Sequence, residues 1–458
     1  MNLTTDAWIP VFTTAGMRSY GLTDVFAHAD TVLDVASGDA LEDAAIMRLL
    51  FACDAAADHA RMTPADWVES QHNRFELFDP VAPFGQNPAM AEFVDTPRAA
   101  RQVAAFTYRL VGDASTALGL THAAAGIRLT PAQAARVLLV RQMFSVGGIQ
   151  QFVASAFGKA AISAKTAVGC NRPLLWLQKA TLAGSLAANR LPDTSGTFHF
   201  TWPNGMSPAD RGRPDGPVDA LTWLSRSILL LRDGDGMVAE AMCCDGIRFP
   251  EIDVDGWTVG DEQRMFHHTT WVRRKLKDPL AIQSVHPQRP PWRQILTAWA
   301  DPDARGLLGQ EAAADGTYRL AGLASYQARI DGTVAGTLPA PAFSREDGRA
   351  LLEAVTGAYR SIASTAGSLA HNTVSFDSAG WSSATSTFAT SGLADQIEQV
   401  VADACRTGDT ASGIVAIDRI VADTCSQMIR DAGRVRPAAA ARTASRPPAR
   451  EQRKAPTA

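Results

Sequence analysis

The chain has 458 residues, 46 % of them hydrophobic and 20 % charged, with a formal net charge of −4. That composition excludes a disordered or fibrous protein, and the length excludes one ordinary core, so two domains or more are expected. The charge is uneven. Arg434–Ala458 holds seven basic residues and one acid, Glu451, which leaves 36 basic and 46 acidic residues for the body. Such a body speaks against a broad, free-standing DNA binder but leaves room for a local basic patch.

In chain order, MNLTTDAWIPVF carries the acidic Asp6 and no apolar leader core, and no uncharged apolar stretch nears the ~20 residues of a membrane span. These features predict a cytoplasmic protein. Trp8–Phe12 reads as a short strand broken by Pro10. Leu41, Ala45, Leu49 and Ala52 recur at helical spacing in 41–60, with the acids first, where the helix dipole favours them. The block Phe75-Glu76-Leu77-Phe78-Asp79-Pro80-Val81-Ala82-Pro83-Phe84-Gly85-Gln86 is a stiff loop on aromatic anchors. Thr130-Pro131 with Gln133 forms a capping box opening a helix that stops at Gly147-Gly148. From about 160 to 260 short β-like runs, Thr197–Trp202 and Ile247–Val254, alternate with Gly/Pro/Asp turns. PVDALTWLSRSILLL predicts a turn into a helix or strand around a buried Trp223.

A strand pair follows, Thr317–Leu323 and Tyr326–Ile330, ending at Asp331-Gly332. From Ser344 the period becomes helical, with Leu351, Leu352, Val355, Tyr359 and Ile362 on one stripe. Further helices are expected near 384–405 and 411–432. The fold class is therefore α+β: a large, irregular mixed α/β domain over 1–340, a helical bundle over 341–433 and a disordered basic tail over 434–458.

No catalytic constellation emerges. His267-His268 lacks a third ligand at metal spacing. Asp233-Gly234-Asp235-Gly236 and Asp253-Val254-Asp255-Gly256 lack the later bidentate acid of a calcium loop and read as tight turns. No G-x-x-x-x-G-K-S/T, G-x-S-x-G or G-x-G-x-x-G pattern occurs. The six cysteines, among them adjacent Cys243-Cys244, show no C-x-x-C spacing and read as reduced thiols. A hydrolase using Asp233, Asp235 or His267 remains the alternative from another class, and no metal or cofactor is expected.

What remains suits holding a nucleic-acid backbone. Gly147-Gly148 admits close approach of another backbone, or is a plain helix C-cap. Lys159, Lys165, Arg172 and Lys179 are phosphate contacts or solvated loop charges. Trp271-Val272-Arg273-Arg274-Lys275-Leu276-Lys277 is the densest basic run of the body, a phosphate site or a protected strand edge.

Five blocks in order resemble the large subunit of type I-E Cascade, the CRISPR surveillance complex (the CasA family). They are MNLTTDAWIPV, FELFDPVAPFGQ, LTPAQAARVLLVRQMFSVGG, GPVDALTWLSRSILL, and Pro290-Pro291-Trp292-Arg293 followed by the hairpin with Gly322-Leu323-Ala324-Ser325. The resemblance implies a subunit without nuclease activity that binds the 5′ handle of the guide RNA. It implies recognition of the short motif beside the target (the PAM) in double-stranded DNA from the minor groove, strand opening with a wedge, and recruitment of a helicase-nuclease alongside the other Cascade subunits. Carried over, Gly147 and Gly148 match the glycine loop. Lys275 or Lys277 stands where the PAM lysine finger is expected. Leu323, beside Ala324, takes the wedge position where glutamine is usual, with Gln327 restoring it if the register shifts. The handle-binding loop falls near Ser115–His122, including Thr121 and His122, and is short and small-residued here. These departures leave a second family reading: an assembly scaffold with weakened or altered PAM readout.

Overall fold

The computed structural model of the chain describes residues 1–95, 101–107, 126–150, 162–203, 212–252, 254, 256–273, 277–310, 315–326, 329–372 and 392–444. β1 (Ile9–Thr13) pairs antiparallel with β2 (Gly16–Tyr20) and, on its other side, with β3 (Val32–Val35), with α1 (Leu22–Ala27) between them in sequence. Pro10 does not break β1. Its carbonyl accepts from the Ala36 N–H at 2.9 Å, a bond that asks no donor of proline.

Asp39 accepts from the Leu41 and Glu42 N–H groups and so starts α2 (Ala40–Ala60), as expected over 41–60. Residues on every face of α2 are buried, so the helix threads the core and does not lie on it. α3 (Pro64–Ser70) follows, capped by Thr63. The two aromatic-rich blocks at the start of the chain then meet. The Leu3 N–H donates to the Phe75 carbonyl (3.0 Å), the Leu77 N–H to the Met1 carbonyl (2.9 Å), and the terminal ammonium pairs with Glu76 (2.5 Å). Phe75 stacks on Phe84 and meets the edge of Phe200. Gln86 locks the loop to the core: its amide donates to the Leu77 carbonyl (2.6 Å) and its oxygen accepts the Leu230 N–H (2.8 Å).

After β4 (Arg101–Gln102) comes α4 (Pro131–Phe144), which has the Thr130–Gln133 capping box the sequence predicts. β5 (Gly148–Gln150) pairs with β6 (Ile162–Ala164) as a two-stranded ribbon. β7 (Leu174–Gln178) and α5 (Leu182–Ala188) lead to α6 (Pro217–Leu221), β8 (Arg226–Arg232) and β9 (Val238–Asp245), with Trp223 buried as expected. β8 and β4 flank β9 in one sheet. Thr197–Trp202 and Ile247–Val254 are not strands. Phe198, Phe200 and Trp202 do alternate into the core, but the backbone there bonds to the Gly85–Gln86 loop, with Gly85 N–H on Phe200 and Trp202 N–H on Gln86.

α7 (Val259–Met265), β10 (Trp271–Val272), β11 (Ala281–Ile282) and α8 (Pro291–Trp299) precede a long hairpin, β12 (Thr317–Tyr326) and β13 (Arg329–Pro339), whose sheet order is β13-β12-β7. Compact packing separates residues 1–340 from a second unit beginning at Pro341. That second unit holds α9 (Arg345–Asn372), α10 (Leu393–Thr407) and α11 (Thr410–Ala444). Of the expected α9 stripe, Leu351, Val355 and Ile362 are buried, while Leu352 and Tyr359 are half-buried. The chain is helical past Arg434, where a disordered tail is expected, because Ala438–Ala441 are the strongest helix formers available. Residues 384–391 of the expected second bundle helix and 445–458 of the tail lie outside the described residues.

Candidate nucleic-acid interface

The glycine pair is not a helix C-cap. α4 ends at Phe144 with Ser145 as its cap residue, the Ser145 hydroxyl donating to the Arg141 carbonyl at 2.7 Å. Gly147 is required by a close approach: a Cβ there would stand 2.9 Å from the Ala164 carbonyl oxygen and 3.1 Å from the Thr166 nitrogen. Gly148 begins β5 opposite Ala164 at a φ of +153°, which side-chain-bearing residues seldom adopt. Both glycines are half-buried, so this backbone is narrow and partly accessible.

The ribbon's root is built by residues that the sequence does not single out. Arg226 and Asp245, opposite each other at the ends of β8 and β9, are both almost wholly buried, 4.0 Å apart. Gln142, on the last turn of α4, accepts the Arg226 N–H and donates to the Arg226 and Gly85 carbonyls. No local pattern announces this cluster; a buried glutamine facing a strand-starting Ser-Arg-Ser is the nearest signal.

The expected cations divide. Arg172 pairs with Glu262 at 2.8 Å and lies over the Phe266 ring at 4.9 Å. Burial outweighs the pair's mutual attraction, holding the Glu262 carboxyl above its ordinary range and the Arg172 guanidinium below. Lys179 is tied to Asp315 at 2.5 Å, and Lys165 to Glu251 at 3.4 Å with half its side chain exposed. Arg273 binds Asp301 and Asp303. The phosphate reading of Arg172, Lys179 and Arg273 is thus corrected: each charge is already met by a carboxylate. Within the basic run Trp271 is buried in β10, and Lys277 is exposed on the turn between β10 and β11. Lys275, like Lys159, lies outside the described residues, as do Thr121, His122 and the Ser115–His122 loop.

The wedge position is also corrected. Leu323 and Ala324 are 0 % and 2 % exposed, inside β12 and opposite Thr333 and Gly332. The strands run on until Tyr326 pairs with Arg329; Gln327 and Ala328 lie outside the described residues. The second strand does not end at Asp331-Gly332, as the sequence predicts, but runs through it to Pro339, with a bulge in the register at Ala324/Ser325. At the Tyr326–Arg329 end of the hairpin, Tyr326 is 61 % and Ile330 41 % exposed. Its root is clamped by Asn171, in a left-handed conformation at φ +61°. The Asn171 side-chain oxygen accepts the Ser325 N–H (2.7 Å), its amide donates to the Ser325 hydroxyl (3.1 Å), and its own N–H donates to the Leu323 carbonyl (2.9 Å). Asn171 precedes Arg172-Pro173, a turn-like setting that was the available sequence hint.

The residues of the hydrolase alternative are engaged otherwise. Asp233 and Asp235 both hold Arg128, at 3.1 and 2.7 Å. His267 is buried against the Gln310 amide, and burial lowers its pKa to about 4. Among the described residues no three His, Cys, Asp or Glu side chains gather as a metal would need. Two partly open pockets lined by Arg48 measure about 40 Å³ each, room for a few waters, and a wider surface pocket of about 250 Å³ is lined by Arg128, Asp233 and Glu240, its Asp233 already paired with Arg128. All six cysteines are free thiols, five of them buried. Among the described residues no helix is long and apolar enough to cross a membrane.

This architecture is matched elsewhere. The family model described as CRISPR-associated protein Cse1 matches residues 2–426. A curated relative, CRISPR-associated protein CasA/Cse1 of Thermus thermophilus, is 27 % identical over 263 residues, 52 % of this chain and 50 % of that protein, so the match spans about half the length of that relative. The crystal structure of Thermus thermophilus CasA superposes with a TM-score of 0.72 at 19 % identity, covering 94 % of each chain. Thermobifida fusca Cse1 does so at 0.67 and 19 %, covering 95 % of this chain and 92 % of that one. A chain of a CRISPR RNA-guided surveillance complex matches at 0.67 and 16 %, covering 94 % and 99 %. At such identities the structural likeness is one of fold, while the family match runs over nearly the whole sequence. The chain belongs to the CRISPR-associated Cse1 (CasA) family.

Proposed function

We propose that this chain binds the guide RNA 5′ handle and recognises PAM-bearing double-stranded DNA within the assembled surveillance complex. It starts strand opening there and offers the platform for a helicase-nuclease, without nuclease chemistry of its own. The observation that carries this reading is the Gly147–Gly148 backbone, half-buried and presented at the end of an anchored helix. A slim backbone suits the minor groove, whose narrow slot presents a degenerate pattern best read by close approach. Lys277, exposed on the turn between β10 and β11, is proposed as a phosphate or groove contact. With Leu323 and Ala324 buried, the wedge role passes to the exposed Tyr326 and Ile330, apolar flanks that unstack a base step, and the side-chain amide to Gln327, the residue after Tyr326 in the sequence.

The test uses the complex assembled with guide RNA. Gln327→Ala should weaken binding of PAM-bearing duplex at least tenfold while leaving a pre-opened target bound, because opening is the step removed. Lys277→Ala should weaken duplex binding and lower the salt dependence by about one counterion. Unchanged duplex binding by both variants refutes the reading. A wild-type complex that assembles on guide RNA yet binds PAM and scrambled duplexes alike assigns the scaffold role instead.

A further inference from the structure

We infer that Arg226 is the positioning residue of the glycine ribbon, setting its aim from inside the core without touching nucleic acid. The inference rests on the reading that this ribbon meets the DNA. Arg226 is 1 % exposed, which removes it from any phosphate. Its guanidinium donates to the Ser145 carbonyl at 3.3 Å and the Val146 carbonyl at 2.9 Å, the two residues leading into Gly147. It also donates to the Lys165 carbonyl at 2.6 Å, the residue that leaves β6, and to the Ser225 carbonyl at 2.7 Å. One end of the planar guanidinium, Nη2, therefore joins both legs of the ribbon at their root, while Nη1 anchors the group to the Ser225 carbonyl.

Asp245 completes the device. It faces Arg226 as countercharge, accepts the Lys165 N–H at 3.2 Å and is held from outside by Arg248 at 3.0 Å. The two legs are stitched further by the Ala167 N–H on the Ser145 carbonyl and the Gly169 N–H on the Met143 carbonyl. β5 and β6 contribute three paired positions, too few to hold a direction by themselves. A buried guanidinium is tolerated when its acceptors are all in place, so the fork favours one arrangement of the legs over a range of near-equal ones. The aim of Gly147–Gly148 thereby becomes a property of the β8–β9 sheet.

The experiment compares Arg226→Lys, Asp245→Asn and Gly148→Asp with wild type in the guide-loaded complex. It measures affinity for PAM-bearing, scrambled-PAM and pre-opened targets across salt concentrations. Arg226→Lys keeps the charge and loses the fork. It should enter the complex, lose about tenfold in discrimination between PAM and scrambled duplexes, and bind the pre-opened target as wild type does. Its salt slope should not change, whereas a lost phosphate contact lowers that slope by about one. Asp245→Asn, which keeps the carbonyl bonds, should fall between the two. If Gly148→Asp abolishes discrimination while Arg226→Lys preserves it, the positioning role is overturned and the ribbon's role stands. If Gly148→Asp also leaves discrimination intact, the ribbon does not read DNA and both fall. An Arg226→Lys chain that no longer enters the complex overturns the inference too, since Arg226 is then a folding residue.

Discussion

His267 and His268 make the first unit acid-labile by an amount that can be worked out. The Gln310 amide donates to His267 Nε2, so that nitrogen accepts and the ring is neutral. His268 donates from Nε2 to the Asn189 carbonyl at 2.7 Å and stacks on Phe51, while its Nδ1 is buried without a partner. Burial lowers His267 from 6.5 to about 4. Burial, and secondarily the neighbouring His267, lowers His268 from 6.5 to about 3. Below pH 6.5 the unfolded chain therefore binds protons that the folded one refuses, and stability falls as pH falls, until the folded rings themselves titrate. Between pH 7 and 5 each histidine removes about 2 kcal/mol, about 4 together. Nine of the ten tryptophans lie within residues 1–340, so denaturant unfolding followed by tryptophan fluorescence at both pH values reports on this unit. The double variant His267→Gln, His268→Gln keeps an acceptor for Gln310 and a donor for Asn189. It should be less stable at pH 7 but lose about 4 kcal/mol less than wild type on going to pH 5. An equal loss in both proteins refutes the assignment of two neutral, buried rings.

Two further outcomes follow from buried amides. Gln86→Leu keeps the volume but leaves the Leu230 N–H and the Leu77 carbonyl unpaired, at a cost of about 2–4 kcal/mol in denaturant unfolding. Asn171→Ala removes the clamp on Ser325 and places a Cβ-bearing residue without local hydrogen bonds at φ +61°, for about 2–3 kcal/mol. Asn171→Gly should recover about 1 kcal/mol of that by relieving the backbone, which the same measurement resolves.

Legibility in the sequence tracked the range of the forces. α2 and α4 were readable because Asp39, Thr130 and Gln133 act within one turn. The β12–β13 register was not. Asp331-Gly332 is a strong local turn signal, yet Gly332 sits inside β13 opposite Ala324, because the bulge and the Asn171 clamp fix the register from 154 residues away. The same distance problem hid the fate of the cations. Arg172, Lys179 and Arg273 are visible as charges, but their carboxylates stand 90, 136 and 30 residues downstream. Arg226 falls in a run that predicts helix or strand, and all that distinguishes it is what surrounds it.

The opening blocks of the chain show why the scaffold was easier to recognise than the interface. Met1, Leu3, Phe75, Leu77, Gln86 and Asn87 bond to one another's backbone or to β8, so the loop between two prolines has its polar groups met without belonging to a ladder. Each position is tied to several partners, which ties residue type to place. The hairpin end is different. Tyr326 and Ile330 face outward, and their identity is set by what they would meet, not by the chain that carries them. Between the two lies a third class, the buried roots: Arg226 with Asp245 under the glycine ribbon, and Asn171 under the hairpin. These residues tie the described start of the ribbon and the described end of the hairpin to the core. On the proposed reading, lost DNA readout with intact assembly is therefore expected from substitutions at buried roots, with no residue changed at the proposed DNA-facing surface.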